Sequence, residues 1–250
     1  MLKVGKNAKL PLKICKGTAQ ERLELAKLYN EKLFNSICQS FKDKWLDKDV
    51  FTRNLKDMHN GKINFTIKDA TPTNYKGNTQ PMCTGKKVVS YDIYLPLNKF
   101  DKKMYLYDMN IFMHETFHYF FETTNPKHIK NACVMFENKL SPKTEKFYHN
   151  MLYNKYGDPD FVKILLPEYV GTFSPKEQIT ILQNWRYRLT EELNAYKEGA
   201  KYHEKIQEIY KDTLHEKFPC DDGSAFHFEE KIKIIEETLA KTLQKVRKNL

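Results

Sequence analysis

From residue 19 to 48, Leu23, Leu25, Leu28, Leu33, Phe34, Ile37 and Phe41 recur at near-helical spacing among Glu and Lys, which predicts an amphipathic helix. The triplet His59-Asn60-Gly61 breaks that pattern. Residues 62–68 then alternate, with Ile63, Phe65 and Ile67 on one face and Asn64 and Thr66 on the other, the pattern of a half-buried strand. Residues 71–87, TPTNYKGNTQPMCTGKK, are rich in Pro, Gly, Thr and Asn and read as a long loop. Residues 88–97, VVSYDIYLPL, are β-branched and aromatic with a Pro near the end, which suggests an edge or terminating strand.

From there the chain reads as helical. One helix is expected from about Lys103 to Thr124, stopped by Asn125-Pro126, with shorter ones near 127–139 and 142–156. Ser174-Pro175-Lys176-Glu177 is a start signal: Ser suits the N-cap, Pro the first helical position, and Glu177 the third position of a capping box. The helix it opens can run to about residue 217. A last amphipathic helix, from about Phe228 to Val246, carries Ile232, Ile235, Leu239, Leu243 and Val246 on one stripe. Strands come early and helices follow, with no internal repeat and no linker-like shift in composition. The expectation is one α+β domain over 1–250, mostly helical, with a small sheet before the helix near residue 114 and a basic N-terminal arm over 1–18.

Composition narrows the classes. With 250 residues, 40% hydrophobic and 13% aromatic, the chain can bury a core and is neither fibrous nor low-complexity. No apolar run approaches the roughly 20 residues of a membrane span. The first residues carry five Lys and no apolar stretch, so the expected location is cytoplasmic, or exported without a recognisable signal peptide. Net charge is +10, yet only five of the 42 basic residues are Arg. Arg is the residue suited to bidentate phosphate and base recognition, and its scarcity argues against nucleic acid as the partner. Five scattered cysteines without a CxxC read as thiols of a reducing compartment.

The chemistry lies in His114-Glu115-Thr116-Phe117-His118, an HExxH pattern on a predicted helix. Residues i and i+4 sit one above the other, so two imidazoles can grip one divalent ion. Glu115 lies about 100° around the helix and can address a water that the ion acidifies. With 8 His in the chain, shuffling yields the pattern about 0.02 times. The stripe Met104, Tyr107, Ile111, His114, His118, Phe121 would put both imidazoles on the inward apolar face, where the alternative is two core histidines bonded to backbone carbonyls.

A catalytic zinc takes three protein ligands. The metzincin extension fails, because Phe121 and Thr124 stand where Gly and His would be needed. The helix after Ser174 has the stripe Leu182, Trp185, Leu189, Glu192, Tyr196, Gly199, His203, Ile206, Tyr210, and Glu192 occupies a position where an apolar residue is expected. A carboxylate aimed into a core needs a cation: the ion, or one of the many Lys. Glu191, off this stripe, reads as solvated. Glu122, one turn after His118, is a second candidate ligand or a partner that orients an imidazole. Cys83 could cap an ion as a thiolate or have no role.

HExxH with a Glu on a later helix resembles the gluzincins, the thermolysin-like zinc metallopeptidases. The string Glu192-Leu193-Asn194-Ala195-Tyr196 is similar to the Glu-x-x-Ala-Tyr of small bacterial and phage zincin-like proteins. The resemblance covers the two motifs and the order of elements, and the 74 residues from His118 to Glu192 exceed the gap in compact members. It implies a zincin-like fold, Zn2+ held by His114, His118 and Glu192, and Glu115 as general base in peptide-bond hydrolysis. It further implies a peptide or protein substrate lying along an edge strand, which residues 88–95 would supply. Tyr196, one turn beyond Glu192, is the candidate oxyanion stabiliser, with His128, His149 and Tyr169 as open alternatives and His203 too far along the helix. The rival reading is a non-proteolytic zincin-like protein that binds or regulates.

Overall fold

A computed structural model of the chain describes residues 18–40, 47–59, 64–70, 77–85, 87–97, 109–124, 140–154, 157–209 and 220–248. Residues 103–108 of the helix expected over 103–124, the helix expected near 127–139, residues 210–217 and the basic arm up to residue 17 lie outside them, as do Met104, Tyr107, His128 and Tyr210. The described chain is mostly helical with one three-stranded sheet, an α+β composition. No helix among the described residues is long and apolar enough to cross a membrane.

Two compact units divide the chain: Met1–Glu137 with Lys201–Phe218, and Asn138–Ala200 with Pro219–Leu250. No linker composition marks any of the three boundaries, and one of them falls inside a helix.

The first unit opens with α1 (Ala19–Ser40) and α2 (Lys48–His59). The single helix read over 19–48 is therefore shorter, and a second one starts where Asp47 caps the Val50 N–H at 2.6 Å. The apolar stripe of α1 (Ala26, Leu33, Phe34, Ile37) is buried, as are Phe51 and Leu55 of α2. Next come β1 (Asn64–Asp69), β2 (Asn78–Thr84) and β3 (Lys87–Leu95), in the order β1-β3-β2. β1 pairs parallel to β3 and β2 antiparallel to it, with a register shift between Met82 and Cys83.

Two sequence expectations fail here. Residues 78–84 form a strand inside the segment read as a loop. Residues 87–95 form the central strand, not an edge. The physical reason is pairing: β3 bonds β1 along one side and β2 along the other, and its Val88, Tyr91, Asp92, Ile93 and Leu95 are buried while Val89 stays exposed. Pro81, which has no N–H to donate, sits instead in β2 at the sheet margin.

Helix α3 (Met109–Thr123) carries the HExxH sequence and packs against α1 and the sheet. Phe112, Met113, Phe117 and Phe120 are fully buried, each side chain contributing roughly 1.5–3 kcal/mol. Buried Asn30 of α1 donates to the Met113 carbonyl at 2.9 Å, and its Oδ1 lies 2.9 Å from the Thr116 hydroxyl. That clamp fixes the helix at the second turn, beside the histidines.

The second unit contains α4 (Pro142–Phe147), a π turn (Tyr148–Leu152), α5 (Pro159–Val170), a 3-10 turn (Ser224–Phe226) and α7 (Phe228–Lys248). α6 (Pro175–Ile209) lies in this unit up to Ala200 and in the first from Lys201 onward. Its capping box forms as expected: the Ser174 N–H and hydroxyl both donate to Glu177 Oε2, at 2.9 and 2.5 Å. The second unit's core gathers Trp185 and Leu189 of α6, Leu166 and Val170 of α5, Tyr148 and Leu152 of the π turn, and Phe228, Ile235 and Leu239 of α7.

Candidate metal centre

Helix α3 places His114 and His118 one turn apart. Their Nε2 atoms are 3.1 Å from each other and their rings meet edge to face, with centroids 4.7 Å apart. Two Zn–N bonds of about 2.05 Å at the tetrahedral angle put their nitrogens about 3.3 Å apart. The pair therefore has the spacing of two imidazoles facing one ion. The inward stripe expected from the sequence is found in part, with His118 and Phe121 buried. Ile111 and His114 are only half-buried, while the core side of α3 is Phe112, Met113, Thr116, Phe117 and Phe120. Of the two histidines His114 is the more open.

His114, His118 and Glu192 form a group that can hold a metal ion. Each offers one ligand atom, and these atoms lie within 4.8 Å of one another. Two neutral nitrogens and one carboxylate oxygen are a donor set that zinc accepts, with a fourth position left for water. Among the described residues no other such group of three occurs, so Glu122 and His203 are not brought to it. His203 is buried, with Nε2 2.9 Å from Gln207. Glu191 corrects another expectation: it is 7% exposed, not solvated. Glu191, Ala195, Glu198 and Tyr202 make a second buried stripe on α6, so more than one face of that helix is covered.

Glu115 is 5% exposed and tightly held. The Thr79 hydroxyl of β2 lies 2.9 Å from both Glu115 Oε2 and the Glu115 carbonyl, so one hydroxyl bridges the side chain and backbone of the same residue. Gly77, just before β2, comes so close that a Cβ there would sit 2.7 Å from Glu115 Oε1 and 2.9 Å from Ile111 Cγ2. Neither Thr79 nor Gly77 stood out in the sequence, because the segment lacks strand alternation. Asn30 had a visible signal, a polar residue at helical spacing from Ala26, Leu33 and Phe34.

Around Glu192 the second unit supplies aromatic and charged groups. Burial, and next the negative charge of Glu192, push the Tyr153 phenol well above its usual range. Arg188 holds Glu145 through both carboxylate oxygens at 3.0 and 3.1 Å and lies 4.1 Å over the Tyr148 ring. Tyr196 is half-buried on the turn after Glu192, with its ring against Phe226 and Phe228 at 5.4 and 5.8 Å. Burial and then Arg188 lower the His149 pKa, so its 3.7 Å approach to Glu145 is a polar contact rather than an ion pair at neutral pH. Tyr169 is structural: it stacks on Phe147 at 3.9 Å and donates to Thr144 at 3.1 Å.

Cys83 is disulfide-bonded, while Cys38 is a free thiol. A sulfur in a disulfide is no thiolate, which removes Cys83 as a capping ligand. Disulfides persist in oxidising surroundings, so the scatter of cysteines does not mark a reducing compartment. Comparison with protein-family models, curated proteins and solved structures returned no match for this chain.

Proposed function

We propose that this chain is a zinc-dependent metallopeptidase of the gluzincin type. The observation that carries the reading is the convergence of His114, His118 and Glu192 in ligand distance of one another, with Glu115 between the two histidines. Zinc, when bound, acidifies water and polarises a carbonyl. The remaining steps belong to the chain's own groups. Glu115 accepts a proton from the attacking water and hands it to the departing amine. Thr79 keeps the Glu115 carboxylate turned to one side of α3 during both transfers. The substrate lies extended along β2, the strand that carries Gly77 and Thr79 to Glu115, rather than along β3, whose two neighbours occupy its edges. Tyr196 remains the proposed oxyanion donor.

The test pairs elemental analysis with hydrolysis of an unstructured protein substrate. Wild type should carry one zinc per chain and cleave. His114→Ala and Glu192→Ala should lose the metal, whereas Glu115→Gln should keep it and lose turnover. A wild type without stoichiometric zinc sinks the reading. Retained biological function in Glu115→Gln with no cleavage by the wild type would instead favour a zincin-like binding protein.

A further inference from the structure

Strand β3 fixes which way the backbone of β2 faces. The Leu95 carbonyl accepts from the Ala70 N–H at 2.8 Å, just past the end of β1, so the main chain of Leu95 points toward β1. The N–H and C=O of one strand residue leave on the same side, and the side alternates from residue to residue. Ile93 and Tyr91 therefore also point toward β1, while Tyr94, Asp92 and Ser90 point toward β2. In the register of β2 these last three stand opposite Asn78, Gln80 and Met82, which are the hydrogen-bonded pairs. Thr79 and Pro81, opposite Ile93 and Tyr91, are the non-bonded pairs, and their main chains face away from β3. β2 stands at the margin of the sheet, with β3 as its one neighbour among the described residues.

Pro81 thus removes no bond from the sheet. The N–H it lacks would have pointed outward, which is the placement that prolines take in edge strands. What it changes is the margin. Up to the register shift after Met82, the outward main chain of β2 offers two carbonyls, those of Thr79 and Pro81, and one N–H, that of Thr79. The Thr79 side chain leaves the plane of the sheet and reaches Glu115 Oε2 at 2.9 Å, so a chain bonded to the Thr79 backbone passes beside the proposed general base. An extended peptide added to this edge gives an N–H to both carbonyls, but only one of its own carbonyls finds a donor.

We propose that Pro81 is a specificity-determining residue: it leaves the substrate carbonyl opposite it unpaired and so ends the backbone grip that centres on Thr79. The inference rests on the peptidase reading above. A hydrogen bond of this kind contributes about 2- to 10-fold in affinity. Pro81→Ala restores the outward donor and leaves Glu115 and the metal group untouched. Pro81→Val does the same with a residue that favours strands, so either variant alone carries the test.

Zinc-loaded wild type and both variants digest casein, and mass spectrometry maps the cuts. Synthetic peptides across the strongest cut, shortened one residue at a time from each end, give KM and kcat. Fluorescence anisotropy gives Kd for the same peptides on Glu115→Gln and on Glu115→Gln/Pro81→Ala. Peptides long enough to reach residue 81 should show KM and Kd about 2- to 10-fold lower when the donor is restored, with kcat unchanged and no difference for shorter peptides. Equal KM and Kd at every length overturn the proposal and leave the peptidase reading, since the wild type still cleaves. A gain at every length, or a gain in kcat, also overturns it, because residue 81 would then act through Thr79 and Glu115. A zinc-loaded wild type that leaves casein intact overturns the peptidase reading and this inference with it.

Discussion

The carboxylate of Glu115 is fixed by a residue 36 positions earlier in the chain, and Thr79 does this with a single proton shared toward Oε2 and the Glu115 carbonyl. Gly77 closes the opposite side. A methyl group at that position would meet Glu115 Oε1 at 2.7 Å, and the cheapest relief is to push the carboxylate away from Thr79 rather than move backbone. Gly77→Ala should therefore cost more in turnover than in stability. A displacement near 1 Å at a reacting group costs about 100-fold in rate, whereas local overpacking costs about 1–3 kcal/mol. Thr79→Val should lower kcat with zinc content intact, and Thr79→Ser should restore it. Steady-state hydrolysis and urea unfolding on the same preparations check both variants. His114, Glu115 and His118 were legible in the sequence because a 3.6-residue period maps spacing directly onto one helix face. Thr79 and Gly77 were not, because what places them is a strand pairing between distant segments, and no local pattern encodes that.

Helix α7 shows the same division between local and distant causes at the scale of an element. Its stripe of Ile232, Ile235 and Leu239 was readable, as were the Ser174 cap and the start of α6 at Pro175. Lys231 was not. It sits in the first turn of α7, is 0% exposed, and its Nζ donates to the Asn154 carbonyl at 3.2 Å, against Gly157. Burial lowers its pKa to about 8, and a cation at a helix N-terminus opposes the helix dipole as well. An unfolded lysine titrates near 10.4. Between about pH 8 and 10.4 the unfolded chain holds a proton that the folded chain has released, so stability rises with pH across that window. Below pH 8 both states are protonated and the burial penalty is fully present. Lys231→Met should accordingly be more stable than wild type at pH 7 and should lose the rise between pH 8 and 10, as measured by urea unfolding at the two pH values. A wild type whose stability falls steadily across that range would refute the assignment. The misreading of Glu191 belongs here too. One apolar stripe was read on α6, but a helix covered on two faces carries two stripes, and the second (Glu191, Ala195, Glu198, Tyr202) is too polar to register as hydrophobic.

For the molecule as a whole, the proposed ion links residues 78 positions apart in sequence, from His114 to Glu192, and an ion that binds the native chain but not the unfolded one shifts the folding equilibrium. At a free zinc concentration 100 times Kd the shift is about 2.7 kcal/mol, which in a chain of this size moves Tm by about 5 to 10 °C. Adding a strong chelator should lower Tm by that amount, and restoring zinc should reverse it. Glu115→Gln leaves the three ligands in place and should keep the full chelator response. His114→Ala should show none, because its Tm already reflects the metal-free state. The net charge of +10 offers a different whole-molecule behaviour, attraction to polyanions, which weakens with salt and ignores chelators. Thermal scans at fixed salt with and without chelator separate the two, since screening acts on all 42 basic side chains together while the chelator acts on one group of three. Equal Tm in wild type with zinc and with chelator would mean that the two imidazoles and the carboxylate meet without holding an ion, and the catalytic reading would go with it.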